Sequence, residues 1–123
     1  MYASGTRALA ALEYLVHIDV DEVPDDLVLM SVDVPDALVV EDVADDVVDP
    51  EQRSTTERGV GDSWVRSGRT AVLSVPSRLI PEERNYVLNP RHEAASGVRV
   101  VGVRRFVFDE RLVVAPAASE PHT

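Results

Sequence analysis

Apolar residues recur with a helical period near the start of the chain. Leu9, Leu12 and Val16 lie three to four residues apart, which is the spacing of one helix face. Thr6 precedes them and is a residue type that caps helix N-termini, so we expect a helix that ends at about His17. We expect its apolar stripe to face the core.

Downstream, the pattern changes to short apolar runs separated by turn-forming residues. A short helix is predicted around Trp64, which we expect to be a core anchor, with Asp62 as its cap. Pro81 is typical of the first turn of a second helix, which ends at Asn89. Predicted strands cover residues 27–32, 38–40, 70–75, 98–103 and 105–108, predicted helices begin at 59 and 81, and we expect a loop over 41–58 and a flexible tail over 113–123.

Length and composition favour a single α+β domain. The chain has 123 residues, of which 45% are hydrophobic, so it can bury a core but has no room for a second domain. No apolar run approaches the roughly 18 residues that span a bilayer, and no signal peptide is visible. The sequence contains no cysteine, which excludes disulfides and thiolate chemistry. We therefore expect a cytoplasmic protein without a membrane partner.

Charge is distributed unevenly. Residues 1–51 carry 14 acids and one Arg, whereas residues 52–123 carry 8 acids and 11 Arg. An acidic half repels polyanions, so we expect no direct nucleic-acid binding. All 12 basic residues are Arg. We favour adaptation to high salt, as in a halophile, as the explanation of the acidity. The alternative is a GC-rich genome, which would favour Arg over Lys.

Glu13 is the polar residue that most needs an explanation. On a helix it lies about 40° from the direction of Leu9, at the border of the apolar face. A carboxylate near an apolar environment must be paired, hydrogen-bonded or neutralised. The ordinary interpretation is a helix-edge Glu that pairs with His17; the functional one is an active-site acid.

Other polar residues have a structural and a functional interpretation too. Ser77 follows a predicted strand end, where a serine usually caps or turns the chain, and Asn85 and Asn89 bracket an apolar turn. The acids show neither a calcium-loop pattern nor His pairs at ligand spacing, so we expect no metal site.

Five motifs in this order resemble the RES-domain family, the toxin halves of RES-Xre toxin-antitoxin pairs. They are Ala-Ala-Leu-Glu at 10–13, Gly-Asp-Ser-Trp at 61–64, Val-Pro-Ser at 75–77, Asn-Tyr-Val-Leu-Asn-Pro at 85–90 and Phe-Val-Phe-Asp at 106–109. The resemblance covers residues 2 to 112 of an expected domain at 1–112. It implies a mixed or antiparallel sheet with short helices, similar to the ADP-ribosyltransferase fold.

The resemblance also implies a chemistry and a site. It implies degradation of NAD, consumed as substrate rather than held as cofactor, by cleavage of the nicotinamide-ribose bond, or ADP-ribosyl transfer to a protein. Glu13 and Ser77 match two namesake residues of the family and would be catalytic. Tyr2 would stack on the dinucleotide, and Asn85 and Asn89 would bind it. The implied partner is an Xre-type antitoxin, and a homo-oligomer stays possible.

The first namesake residue, an Arg, has no match and would lie upstream of Met1, so we expect an N-terminally incomplete domain. Arg7 does not replace it, because on the helix it points about 160° from Leu9. Two alternatives therefore stay open: a truncated, non-catalytic remnant that only binds an antitoxin, and an acidic binding module of a halophile.

Overall fold

The fold is built from short helices and two small sheets. The computed structural model describes residues 1–43 and 53–113. The strands are β1 (Tyr2–Ser4), β2 (Val28–Asp33), β3 (Val40–Asp42), β4 (Val72–Pro76), β5 (Arg84–Leu88) and β6 (Arg99–Arg105), the α-helices are α1 (Arg7–Val16), α2 (Arg53–Ser67) and α3 (Glu110–Val113), and two 3₁₀ helices span Val20–Glu22 and Glu93–Gly97. The predicted α+β class is confirmed.

The larger sheet is mixed and pairs the N-terminal strand β1 with β5, about 80 residues further along the chain. Its strand order is β1-β5-β4-β3, with β3 parallel to β4 and the other pairs antiparallel. The edge strand β3 is tied to the chain before β4 by Arg69, whose guanidinium donates two hydrogen bonds to Glu41 and lowers the pKa of that carboxyl. β2 and β6 form a separate antiparallel pair.

The core lies under the central strand β4. Ala71, Val72 and Leu88 form its buried cluster. Trp64 has no exposed surface, as the prediction of a core anchor required, and its indole Nε1 donates to Thr70 Oγ1 at 2.8 Å. This single contact fixes the end of α2 against the start of β4.

The first helix agrees with the sequence at its N-terminus but not along its whole apolar stripe. Thr6 Oγ1 accepts a hydrogen bond from Leu9 N at 3.1 Å, which confirms the predicted cap. Leu9 is buried, but Leu12 and Val16 are 45% and 55% exposed. The expectation that all three face the core was wrong, because α1 packs beside β1 through the side that carries Leu9 and Glu13, which leaves the rest of the stripe in solvent.

The helix predicted from Pro81 does not form. Residues 84–88 are strand β5, which pairs with β1 on one side and β4 on the other. Their aromatic and β-branched side chains suit a central strand, and two hydrogen-bonded neighbours outweigh the local helix-start signal at Pro81.

The limits of several other elements differ from the predicted ones. α2 starts at Arg53, so Asp62 is inside the helix and does not cap it, and residues 41–42 and 53–58 are not loop. α2 ends where Gly68 adopts a positive φ of 63°. A single strand, β6, replaces the two predicted over 98–108. The rest of the predicted loop, 44–52, and residues 114–123 of the predicted tail lie outside the described residues.

Candidate active site

Three elements bring Glu13, Ser77 and Asn85 into direct contact. Glu13 lies on α1, Ser77 directly follows the last residue of β4, and Asn85 lies in β5. Glu13 Oε1 accepts a hydrogen bond from Ser77 Oγ at 2.8 Å and another from Asn85 Nδ2 at 2.9 Å. Two residues that are 64 positions apart in sequence therefore share one hydrogen bond.

Ser77 uses its whole hydrogen-bonding capacity inside the protein. Its side chain is 1% exposed, and its hydroxyl oxygen accepts from the main-chain N–H groups of Leu79 and Ile80, both at 3.1 Å. A serine hydroxyl has one donor and two acceptor sites, and Glu13 takes the donor. This arrangement orients the Glu13 carboxylate and leaves no lone pair with which Ser77 could act as a nucleophile.

Asn85 extends the network to the first strand. It is 1% exposed, and while its NH₂ group donates to Glu13, its Oδ1 accepts from Ser4 Oγ at 2.7 Å. Ser4 and Asn85 are register partners of β1 and β5. Sequence reasoning did not find Ser4 as a site residue, because the register of a three-residue strand cannot be read from its own composition.

Glu13 itself is half-buried and held through one oxygen only. Within the described part of the chain, its Oε2 makes no hydrogen bond and no Arg or His pairs with the carboxylate. Two neutral donors fix Oε1 and leave Oε2 open. Such a carboxylate can stabilise positive charge that develops on a reacting group beside it.

A cleft lies beside this network. A cavity of about 720 Å³ separates β1 and the first turns of α1 from β2, with the rings of Phe106 and Phe108 at its wall. Ser4 lines this cavity and also a second one of about 440 Å³, which Tyr86 borders. Glu13 and Ser77 line neither cavity. Ser4 therefore connects the cleft, through Asn85, to the half-buried Glu13 carboxylate.

The cleft differs from the rest of the molecule in charge. The chain carries a net charge of −10, yet the larger cavity is lined by no Asp or Glu from residues 1–43 and 53–113. Arg7 does line it, from the first turn of α1, and its side chain is exposed. A guanidinium at a helix N-terminus suits the binding of an anionic ligand.

The two other predicted binding residues lie apart from Glu13. Tyr2 is on β1, 58% exposed, and lines the larger cavity. Asn89 is 7% exposed; its Oδ1 accepts from Arg91 N and its main-chain N–H donates to Ala71 O. Along an extended strand, four residues span about 13 Å, so Asn89 is well removed from Asn85. Its contacts are those of a turn residue, and its binding role stays a prediction.

The described residues contain no group of three acidic or His side chains that could hold a metal ion. Nor does any helix among them have the length and apolar character needed to cross a membrane.

Comparison with known proteins decides the family. The sequence model of the RES domain matches residues 1–109. The chain belongs to the RES-domain family. The resemblance inferred from the five motifs is thereby confirmed, and with it the ADP-ribosyltransferase-like class of the fold.

Curated RES-domain relatives are named as toxins. The chain is 35% identical over 122 residues to "Prs ADP-ribosylating toxin" of a Sphingobium species, which covers 92% of this chain and 74% of the relative. It is 33% identical to "Toxin Res" of Photorhabdus laumondii, with 94% and 76% covered, and 31% identical to "Toxin Res" of Yersinia enterocolitica, with 91% and 76% covered. The RES-domain chain is thus similar to toxins over most of its length.

Proposed function

We propose that this RES-domain protein is a toxin that consumes NAD by cleaving the bond between nicotinamide and ribose. The observation that carries the proposal is the Glu13 carboxylate, fixed at Oε1 by Ser77 and Asn85 with Oε2 open, beside a cleft whose lining includes no acid among the described residues. The cleft volume of about 720 Å³ falls in the range of small-molecule and cofactor sites.

The chemistry follows from where charge moves. When the glycosidic carbon–nitrogen bond breaks, the electron pair leaves with nicotinamide, whose ring becomes neutral, and positive charge develops on the ribose. Glu13 stabilises that oxocarbenium-like centre. Ser77 and Asn85 hold the carboxylate, and Tyr2 stacks on a ring of the dinucleotide. Arg7 does not occupy the position of the family's namesake Arg, but it lines the cleft and binds the pyrophosphate there.

The ribosyl centre then needs an acceptor. Attack by a phosphate oxygen gives a phosphorylated ADP-ribose, and attack by water gives ADP-ribose with release of one proton. Transfer to a protein side chain is the second candidate, and the name of the Sphingobium relative, an ADP-ribosylating toxin, favours it. Both candidates share the bond cleavage at Glu13.

A partner that controls such an activity is part of the proposal. The toxin names of the relatives support a toxin-antitoxin context, and we propose an Xre-type antitoxin that covers the cleft. NAD enters as a substrate and not as a bound cofactor.

Release of nicotinamide by the purified protein tests the proposal. We expect release from NAD at low and at high salt, measured by chromatography, and mass spectrometry of the second product identifies phosphate or water as acceptor. Incubation of a cell extract with NAD labelled in the adenosine part detects transfer to protein. Folded protein, verified by circular dichroism, that releases no nicotinamide under any of these conditions contradicts the proposal.

A further inference from the structure

The Ser4 hydroxyl makes the most direct contact between the first strand and the site. Main-chain hydrogen bonds join Met1 to Leu88 and Gly5 to Arg84, so Ser4 and Asn85 lie opposite each other between hydrogen-bonded pairs of the antiparallel ladder. Side chains approach each other most closely at such positions. The 2.7 Å contact between Ser4 Oγ and Asn85 Oδ1 follows from that register.

An asparagine amide has two nearly identical orientations with opposite hydrogen-bonding character. A carboxylate oxygen accepts hydrogen bonds, so Glu13 binds Asn85 through the NH₂ group. The reversed amide would place an oxygen against the carboxylate. In the observed orientation Oδ1 points to Ser4, which is its only hydrogen-bond donor within the described residues. Since Asn85 is 1% exposed, water does not readily replace a lost donor there.

We propose that Ser4 is a positioning residue, which fixes the orientation of the Asn85 amide and through it the Glu13 carboxylate. Its effect on catalysis rests on the function proposed for Glu13, whereas its effect on Asn85 does not. Because Ser4 also lines the larger cavity, its hydroxyl links that cavity to the contact between Asn85 and Glu13.

Substitution of Ser4 by Ala and by Thr tests the catalytic part. Ser4→Ala removes the donor, and we expect kcat for nicotinamide release to fall about tenfold, while KM for NAD changes less than about threefold, because misplaced reacting groups slow the chemical step. Thr keeps the hydroxyl and suits a strand, so Ser4→Thr should restore most of the rate. Ser96→Ala, which removes an exposed hydroxyl that donates to Glu93 O, is the matched control with unchanged kcat.

Side-chain NMR tests the positioning part without any activity. The NH₂ protons of Asn85, identified by their loss in Asn85→Ala, should exchange slowly with solvent in the native protein and in Ser4→Thr. They should exchange at least about tenfold faster in Ser4→Ala, because the amide then leaves its fixed orientation. Unchanged exchange in Ser4→Ala overturns the inference, even if the protein cleaves NAD. If exchange responds as expected but no variant releases nicotinamide, the positioning role stands and the proposed function fails.

Discussion

Glu13→Gln lowers the rate of nicotinamide release by about 100- to 1,000-fold, the scale of losing one charged or hydrogen-bonding group that acts on the transition state. The amide keeps an oxygen at the position of Oε1, so Ser77 and Asn85 retain their acceptor. What changes is the charge and the open Oε2, which becomes an NH₂ group. The substitution therefore removes stabilisation of the ribosyl cation without dismantling the network.

A second variant shows whether the lower rate comes from the missing Glu13 carboxylate or from a general effect of replacing a glutamate. Glu83→Gln changes another half-buried glutamate close to α1, whose carboxylate accepts from Thr6 at 3.1 Å. Its rate of nicotinamide release should remain within about twofold of the native rate, since its side chain is hydrogen-bonded to Thr6 and not to Glu13, Ser77 or Asn85 within the described residues. Thermal unfolding should give similar midpoints for both variants. A Glu13→Gln protein that releases nicotinamide at the native rate would remove Glu13 from the mechanism.

Trp64→Ala has the largest expected effect on stability. The indole is fully buried and donates to Thr70, whose own hydroxyl donates to Val72 O at 3.0 Å. Removing a buried Trp costs about 3–5 kcal/mol in free energy of unfolding, from lost transfer energy and the cavity left behind. For a domain of this size such a loss lowers the melting temperature by more than about 10 °C.

Two further substitutions show how much of this loss in free energy of unfolding comes from the buried indole ring. Trp64→Phe keeps most of the ring but loses the donor to Thr70, so it should cost clearly less than Trp64→Ala. Val65→Ala changes the next residue of α2, which is 47% exposed, and should shift the free energy of unfolding by less than about 0.5 kcal/mol. Chemical denaturation measures all three. Equal stability of Trp64→Ala and Val65→Ala would be incompatible with the described core.

Local signals in the sequence predicted the start of α1 and the central strand well. Thr6 caps α1 as its residue type and the following periodicity indicate, and the apolar run before Pro76 forms β4. These features depend on neighbours within a few residues. The helix predicted from Pro81 was wrong for the opposite reason, because β5 is stabilised by strands from distant parts of the chain.

The site was accessible from the sequence only in part. Helix geometry placed Glu13 at the border of the apolar face, but its contact with Ser77 depends on how α1 packs beside the sheet. The family resemblance implied that these two residues share a site, which helix geometry alone does not. Neither helix geometry nor the family resemblance identified Ser4 as a site residue, since its role follows from the β1–β5 register. Local pattern reveals unusual residues, and only tertiary structure reveals which of them touch.

A crystal structure of the Glu13→Gln protein with NAD is the most direct test of the central claim. We expect the dinucleotide in the cleft beside β1, with its pyrophosphate within hydrogen-bond distance of Arg7. We also expect the anomeric carbon of the nicotinamide ribose within about 4 Å of the side chain at position 13, the separation of groups poised to react. NAD bound elsewhere on the protein, with that carbon remote from position 13, would contradict the claim.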